Sequence, residues 1–203
     1  MRLTGLLFNR FLLGLSLLAL TLFTNQGGLP ACAADDNILT LSIANEPSDE
    51  TSKAVQARLL LKAPPQLVWQ TITNYPEIRH ILPGYDKSTV LKSSGGTKLV
   101  DIAMRVAAFL PAYHYQVQMQ EDAASYNLSM KRVSGDFKSL NGNYKLVSQN
   151  NGARTLLIYT LKLDPGYNLP GSQALIRANT ERSMKALSRH IAQESRKSLI
   201  GQR

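Results

Sequence analysis

The chain has a single cysteine and few residues that suggest catalysis. Because Cys32 has no second cysteine to pair with, an intrachain disulfide and a cysteine-based metal cage are both excluded. The three histidines show no metal-ligand spacing. No nucleophile elbow, phosphate-binding loop or paired-carboxylate motif is present. We therefore predict no catalytic residue, no metal site and no cofactor.

The longest apolar run is also too short to span a membrane. Phe11–Phe23 is uncharged and leucine-rich, but its thirteen residues cannot cross a hydrocarbon core of about 30 Å as a helix. Two arginines precede this run and Ala31-Cys32-Ala33 follows it, so residues 1–34 predict a cleaved export signal. Leu29-Pro30-Ala31-Cys32 also resembles a bacterial lipobox. We expect a periplasmic or secreted protein, with a lipoprotein anchored through Cys32 as the alternative.

Acidic residues are scarce beyond residue 52. Residues 53–203 contain 21 Lys and Arg against 9 Asp and Glu, a net charge of +12, which favours anionic partners. Residues 35–52 are acidic and lack aromatics, which predicts a linker, with the apolar residues around Leu41 leaving room for one short strand. The expected organisation is a signal peptide (1–34), an acidic linker (35–52) and one domain (53–203).

The domain's hydrophobic pattern is that of strands followed by one long helix. Alternating apolar residues predict seven strands, and two short helices follow the first. The strands are expected at Lys53–Lys62, Lys87–Ser93, Lys98–Ala107, Tyr113–Glu121, Tyr126–Val133, Leu140–Val147 and Thr155–Leu163. Gln173–Leu199 contains no proline or glycine, and Ser172 stands where an N-cap belongs. We predict an α+β domain in which one antiparallel sheet packs on this helix.

The last helix has two opposite faces. Its apolar stripe contains Ile176, Thr180, Ser183, Met184, Leu187 and Ile191. Its basic face contains Arg182, Lys185, Arg189, Arg196 and Lys197. The small polar residues of the stripe are either tolerated in a core or border a space that helix and sheet enclose. The basic face is either merely solvated or docks on anionic lipid.

Tyrosines recur on the apolar side of the strands. Period-two alternation places five of them there: Tyr113, Tyr115, Tyr126, Tyr144 and Tyr159. Aromatic residues with high strand propensity commonly pack a core. The other interpretation is an apolar cavity with a few hydrogen-bonding groups, which suits a hydrophobic ligand with an oxygenated head.

Several short motifs, in order, resemble the START-like (SRPBCC) superfamily. They are Ala63-Pro64-Pro65-Gln66-Leu67-Val68-Trp69, Thr73-Asn74-Tyr75-Pro76, Leu82-Pro83-Gly84-Tyr85, Ser134-Gly135-Asp136-Phe137 and Leu140–Leu146. The polyketide cyclase and coenzyme Q-binding START-type branch is the most similar. The resemblance implies a helix-grip fold, in which a curved seven-stranded sheet surrounds the C-terminal helix. It also implies a cavity for a lipid, quinone, sterol or polyketide.

We therefore expect an exported protein that binds a hydrophobic ligand between sheet and helix, as a carrier. The predicted ligand-binding residues are Met104, Tyr113, Tyr115, Tyr126, Tyr144, Tyr159, Thr180, Ser183 and Met184. The alternative is a cyclase/aromatase-type enzyme using Tyr115, Tyr144 and Arg132 in the same cavity. A third class is a protein-interaction module using the basic face. The expected partners are a hydrophobic small molecule or lipid and an anionic membrane surface, with no nucleic acid, and we expect a monomer.

Overall fold

The computed structural model describes residues 38–45, 51–107, 110–166 and 170–200. The predicted export signal, which includes Cys32, lies outside these residues. The strands are β1 (Ile38–Asn45), β2 (Lys53–Leu61), β3 (Tyr85–Ser94), β4 (Thr97–Met104), β5 (Tyr113–Asp122), β6 (Asn127–Gly135), β7 (Ser139–Gln149) and β8 (Arg154–Asp164). The helices are α1 (Pro65–Ile72), α2 (Ile78–Ile81) and α3 (Ser172–Ile200), with a short 3-10 helix at Tyr75–Glu77.

All the strands join one antiparallel sheet in the order β1-β2-β8-β7-β6-β5-β4-β3. The seven predicted strands are β2 to β8, so the curved sheet around a C-terminal helix is confirmed. β1 is an addition at the edge, where it pairs with β2 from Ile38↔Leu61 to Asn45↔Val55. Residues 38–45 were predicted as part of a linker, and that interpretation needs correction there because the backbone pairs in register with β2.

Helix α3 covers the concave face of the sheet with the predicted stripe. All six residues of the stripe are buried, and the five residues of the basic face are exposed. Burial of a side chain such as Ile191, which is fully enclosed, contributes about 1.5–3 kcal/mol. Gly171 accepts the first helical hydrogen bond from Leu175, so Gly171 rather than Ser172 is the N-cap. Across the described part of the chain, no helix is long and apolar enough to cross a membrane.

The short helix α1 closes one end of the core. Pro65 occupies its first turn, where a missing N–H costs nothing, and Pro64 immediately precedes the helix in an extended conformation. Val68, Trp69 and Ile72 are buried on its inner side. This helix therefore adds apolar wall to the same core that α3 covers.

Asp164, at the end of β8, forms hydrogen bonds and an ion pair with neighbouring segments. Its carboxylate accepts hydrogen bonds from the Thr51 hydroxyl (3.1 Å) and the Gly166 N–H (2.7 Å). Lys138 Nζ lies 3.8 Å from the same carboxylate. These interactions hold the pKa of Asp164 below its ordinary value, chiefly through the Gly166 N–H.

Candidate functional site

A cavity lies between the concave face of the sheet and the first turns of α3. The volume open to the centre of a water-sized sphere is about 130 Å³. Strands β3 to β8 contribute inward-facing side chains to its wall, and most of these are aliphatic or aromatic. None of the described wall residues is a carboxylate, an imidazole, an amine or a guanidinium. The wall is therefore apolar with neutral polar groups, as expected of a site for a hydrophobic molecule.

Eight of the nine predicted ligand-binding residues line this cavity. From the sheet come Met104, Tyr113, Tyr115, Tyr144 and Tyr159, and from α3 come Thr180, Ser183 and Met184. Strand alternation and helical periodicity bring these residues together because each pattern selects the side of an element that faces the core. Ligand binding itself stays a prediction for all eight.

Tyr126 was predicted in the same set, but it lies elsewhere. It has a φ of +50° and belongs to the turn before β6, which begins at Asn127. Its ring packs edge-on against Trp69, with the centroids 5.8 Å apart. Tyr126 packs against the core, on the side that strand alternation predicted, but it is not among the residues that line the cavity.

Tyr144 and Tyr159 form the centre of the polar part of the wall. They are direct neighbours across β7 and β8, and their ring centroids are 4.5 Å apart. The two phenols interact, and the proximity of Tyr144 disfavours ionisation of Tyr159. Burial raises the pKa of both phenols well above the ordinary range, so both are neutral at physiological pH.

Tyr115 and Tyr85 form a second pair of phenols. The buried Tyr115 hydroxyl donates to the Met104 sulfur at 3.1 Å, and Tyr85 lies close enough to disfavour ionisation of Tyr115. Burial raises the pKa of each phenol, Tyr115 more strongly. Sequence reasoning missed Tyr85 because β3 was expected to begin at Lys87, two residues too late.

Tyr75 connects the wall to an ion pair. Its hydroxyl donates to Glu121 Oε1 at 2.7 Å, and Lys98 Nζ lies 2.9 Å from the same oxygen. Burial is the main cause that raises the pKa of Tyr75, and the Glu121 carboxylate adds to it. Sequence reasoning missed Tyr75 because it lies in a 3-10 turn, which has no strand alternation. The Tyr-Pro motif was the signal that marked its position.

Stacked aromatic rings form the wall near the start of β5. Tyr113 stacks on Phe137 with centroids 4.8 Å apart and an interplanar angle of 11°, and Tyr115 meets the same ring edge-on at 5.1 Å. Gly135 permits this arrangement because it has a φ of +109° and any Cβ there would collide with the backbone of β5. The Gly-Asp-Phe motif thus serves to place Phe137 in the wall.

Of the residues considered for catalysis, Tyr115 and Tyr144 line the cavity, whereas Arg132 and the three histidines are not among its wall residues. Arg132 Nη2 donates to the Gly135 carbonyl at 2.7 Å, and Arg132 is not among the wall residues. His80 and His114 are exposed, and His190 is half-buried on α3. No cluster of three or more metal-ligating side chains occurs within the described residues.

Comparison with known proteins places this arrangement in a family. The family model "Polyketide cyclase / dehydrase and lipid transport" matches residues 61–185. No curated protein matches the chain by sequence.

Solved structures share the fold at low sequence identity. The Zhui aromatase/cyclase from Streptomyces sp. R1128 has a TM-score of 0.63 and 16% identity, covering 71% of this chain and 96% of that one. A START superfamily protein from Mycobacterium smegmatis has a TM-score of 0.61 and 14% identity, covering 69% and 97%. A STAR-related lipid transfer protein from Xanthomonas axonopodis has a TM-score of 0.59 and 15% identity, covering 74% and 98%. Since the family match spans more than half of the chain, the protein belongs to the polyketide cyclase/dehydrase and lipid transport family.

Proposed function

We propose that this chain is an exported carrier that holds a hydrophobic ligand, such as a lipid, a quinone or a polyketide-like molecule, in the cavity beneath α3. The main support for this function is the composition of the cavity wall. The wall combines aliphatic and aromatic side chains with neutral phenols, and none of its described residues is charged. Such a wall holds an apolar body by desolvation and orients it through a few hydrogen bonds. The name of the Xanthomonas axonopodis neighbour, a lipid transfer protein, supports the same function.

Mass spectrometry of an organic extract tests this function directly. The full chain is produced with its own N-terminal segment, purified, and extracted. We expect a hydrophobic molecule in stoichiometric amount, and delipidated protein should take up an apolar probe such as naphthalene. An empty extract together with no uptake by the delipidated protein would overturn the proposal. Cell fractionation of the same preparation tests export, and gel filtration tests the expected monomer.

An anionic bilayer is the proposed docking partner of the carrier. The basic face of α3 lies on the side of the helix opposite the cavity wall. Two of its members are engaged with neighbouring carboxylates, namely Lys185 with Glu181 and Lys197 with Glu194. Arg182 donates to the Val106 carbonyl at 2.8 Å, beside the cavity wall.

A cyclase/aromatase-type enzyme is the second candidate, and the Tyr75–Glu121 hydrogen bond favours it. This bond is a direct link between a wall phenol and a carboxylate, an acid–base pair of the kind that steers proton transfer. Incubation with a poly-β-keto thioester tests the activity. Formation of a cyclised product that depends on Tyr75 and Glu121 would establish the enzymatic function. If the thioester stays unchanged, the enzymatic function is excluded and only the carrier function remains.

A further inference from the structure

The cavity wall gathers its phenols from several different elements of the fold. We call Tyr75, Tyr85, Tyr115, Tyr144 and Tyr159 the phenol cluster. They come from the 3-10 turn, β3, β5, β7 and β8, and all five line the cavity. Tyr144 lies at the centre, opposite Tyr159 in the sheet and close enough to Tyr75 and Tyr115 to disfavour their ionisation. An apolar cavity thus contains one concentrated patch of hydrogen-bonding groups.

This patch carries no charge of its own. Burial raises the pKa of every member, so the phenols stay protonated at neutral pH. Beside Tyr75, Glu121 and Lys98 form an ion pair at 2.9 Å, and Lys98 Nζ lies 5.1 Å from the centroid of the Tyr75 ring. At the edges of the wall, Asp164 is held by its own partners outside the cavity and Arg182 by the Val106 carbonyl.

Among the described wall residues a buried anion would find no cation, and Lys98 is already paired with Glu121. An ionised carboxylate moved out of water without a compensating charge is strongly disfavoured. A neutral oxygen meets no such penalty, because a phenol can donate to a carbonyl and can both donate to and accept from a hydroxyl. The same patch that stabilises a neutral oxygen therefore discriminates against an ionised one.

The volume limits what can sit against the patch. An apolar cavity of about 150 Å³ in a protein core accommodates one benzene molecule. The 130 Å³ available here therefore suits one ring at the buried end of the ligand rather than a branched head, and any further ring extends toward the opening of the cavity.

We infer that the cavity selects a neutral ligand whose buried end is a compact ring bearing a hydroxyl or carbonyl oxygen, and that it rejects the corresponding carboxylate. This inference rests on the proposed function, since it names the class of ligand that the carrier holds. The phenol cluster donates hydrogen bonds to the oxygen, and an ionised head is disfavoured because no described wall residue is cationic.

Three probes of nearly equal size test the inference: naphthalene, 2-naphthol and 2-naphthoate. Equilibrium dialysis against delipidated full-length protein at pH 7 gives the three dissociation constants. We expect 2-naphthol to bind about three- to tenfold tighter than naphthalene, the gain of one or two net hydrogen bonds. We expect 2-naphthoate to bind at least about a hundredfold more weakly than 2-naphthol. Equal or tighter binding of naphthoate would overturn the inference.

The variants Tyr144→Phe and Tyr159→Phe assign the effect to the cluster. In each variant the dissociation constant of 2-naphthol should approach that of naphthalene. The dissociation constant of naphthalene itself should change by less than about twofold, because only a hydroxyl is removed. Tyr126→Phe is the matched control, since Tyr126 lies in a turn outside the cavity, and it should change neither probe. If both variants lose binding of naphthalene as well as of 2-naphthol, recognition through the hydroxyl groups is contradicted.

Naphthalene separates failure of this inference from failure of the proposed function. Naphthalene uptake without any preference for 2-naphthol leaves a hydrophobic carrier and overturns the inference alone. Absence of naphthalene and naphthol binding overturns both. Lowering the pH toward 5 gives a further check: naphthoate binding should strengthen as the ligand becomes protonated, while naphthol binding stays constant.

Discussion

Met130 lies directly over Gly142, its partner across β6 and β7. A Cβ placed on Gly142 would overlap the terminal methyl group of Met130. Gly142 is therefore the space into which the Met130 side chain fits. Because Met130 also lines the cavity, this contact couples the sheet's local packing to the volume available for a ligand.

Gly142→Ala should displace Met130 toward the cavity. The new methyl group meets both the Met130 side chain and the Thr160 carbonyl, so we expect a loss of about 1–3 kcal/mol in unfolding free energy from overpacking. Naphthalene uptake should fall as the cavity narrows. Urea unfolding and dialysis measure the two effects.

The double variant Gly142→Ala/Met130→Ala supplies the control. Removing the methionine side chain clears the collision, so its unfolding free energy should exceed the additive expectation by about 0.5–3 kcal/mol. Strict additivity of the two substitutions would show that Met130 is not what Gly142 accommodates.

Ser183→Leu should fill space without breaking the core. Ser183 is buried on α3 and lines the cavity, so added methyl groups have room to enter it. We expect a stability change under about 1 kcal/mol together with abolished naphthalene uptake. In a closely packed core the same substitution would cost about 1–3 kcal/mol.

Ala178→Leu is the matched control on the same helix. Ala178 is exposed, so the added side chain meets solvent and both stability and uptake should stay unchanged. Strong destabilisation by Ser183→Leu would mean that the space beside Ser183 is already filled, and normal uptake would mean that the ligand lies elsewhere.

Periodicity was sufficient to predict most of the fold. Strands with one buried face show a period of two, and α3 shows a period of 3.6, because burial acts on one side of each element. β1 was harder to predict, since a short edge strand inside an acidic segment has a weak hydrophobic pattern. Its existence depends on pairing with β2, which is a tertiary interaction.

The cavity was predictable in part for the same reason. Residues on regular elements, such as Tyr144 and Ser183, were placed correctly because the element fixes the side they face. Tyr75 lies in a 3-10 turn, where no period applies, and was missed. Tyr126 lies in the turn before β6 and packs against the core, but outside the cavity wall, a distance along the strand that alternation does not fix. The hydrogen bond between Tyr75 and Glu121 joins residues 46 apart in the chain, and no local pattern encodes it.

Asp164→Asn should destabilise the protein in a pH-dependent way. The folded-state pKa of Asp164 is below its ordinary value of 3.8, so its charged form stabilises the fold. That contribution is fully present above the ordinary pKa and disappears as the pH falls through the lower folded-state pKa. The difference in Tm between wild type and Asp164→Asn should therefore be constant from pH 7 to 5 and shrink below about pH 4.

Asp86→Asn is the control for this pH profile. Asp86 is exposed, and Arg105 lies 3.5 Å from it in a solvated pair of little expected value. Its Tm difference from wild type should stay small at every pH. A Tm difference for Asp164→Asn that persists unchanged at pH 3 would contradict a role for the charged carboxylate.

Charge reversal on the basic face should weaken binding to anionic vesicles. Arg189 and Arg196 are exposed on this face, and each basic residue near an anionic bilayer contributes about 1 kcal/mol. We expect Arg189→Glu/Arg196→Glu to reduce co-sedimentation with phosphatidylglycerol vesicles by at least about tenfold. Added salt should weaken wild-type binding in the same assay because it screens exposed charges.

Lys92→Glu/Lys131→Glu separates a specific face from net charge alone. Both lysines are exposed on the sheet, in β3 and β6, so this variant changes the total charge by the same amount as the reversal on α3. If α3 is the docking surface, vesicle binding should fall much less in the lysine variant. Equal losses in the two variants would mean that only the overall positive charge attracts the protein to the bilayer. Unchanged binding after reversal at Arg189 and Arg196 would remove α3 as the docking surface, while ligand uptake, measured in parallel with naphthalene, would still report the state of the cavity.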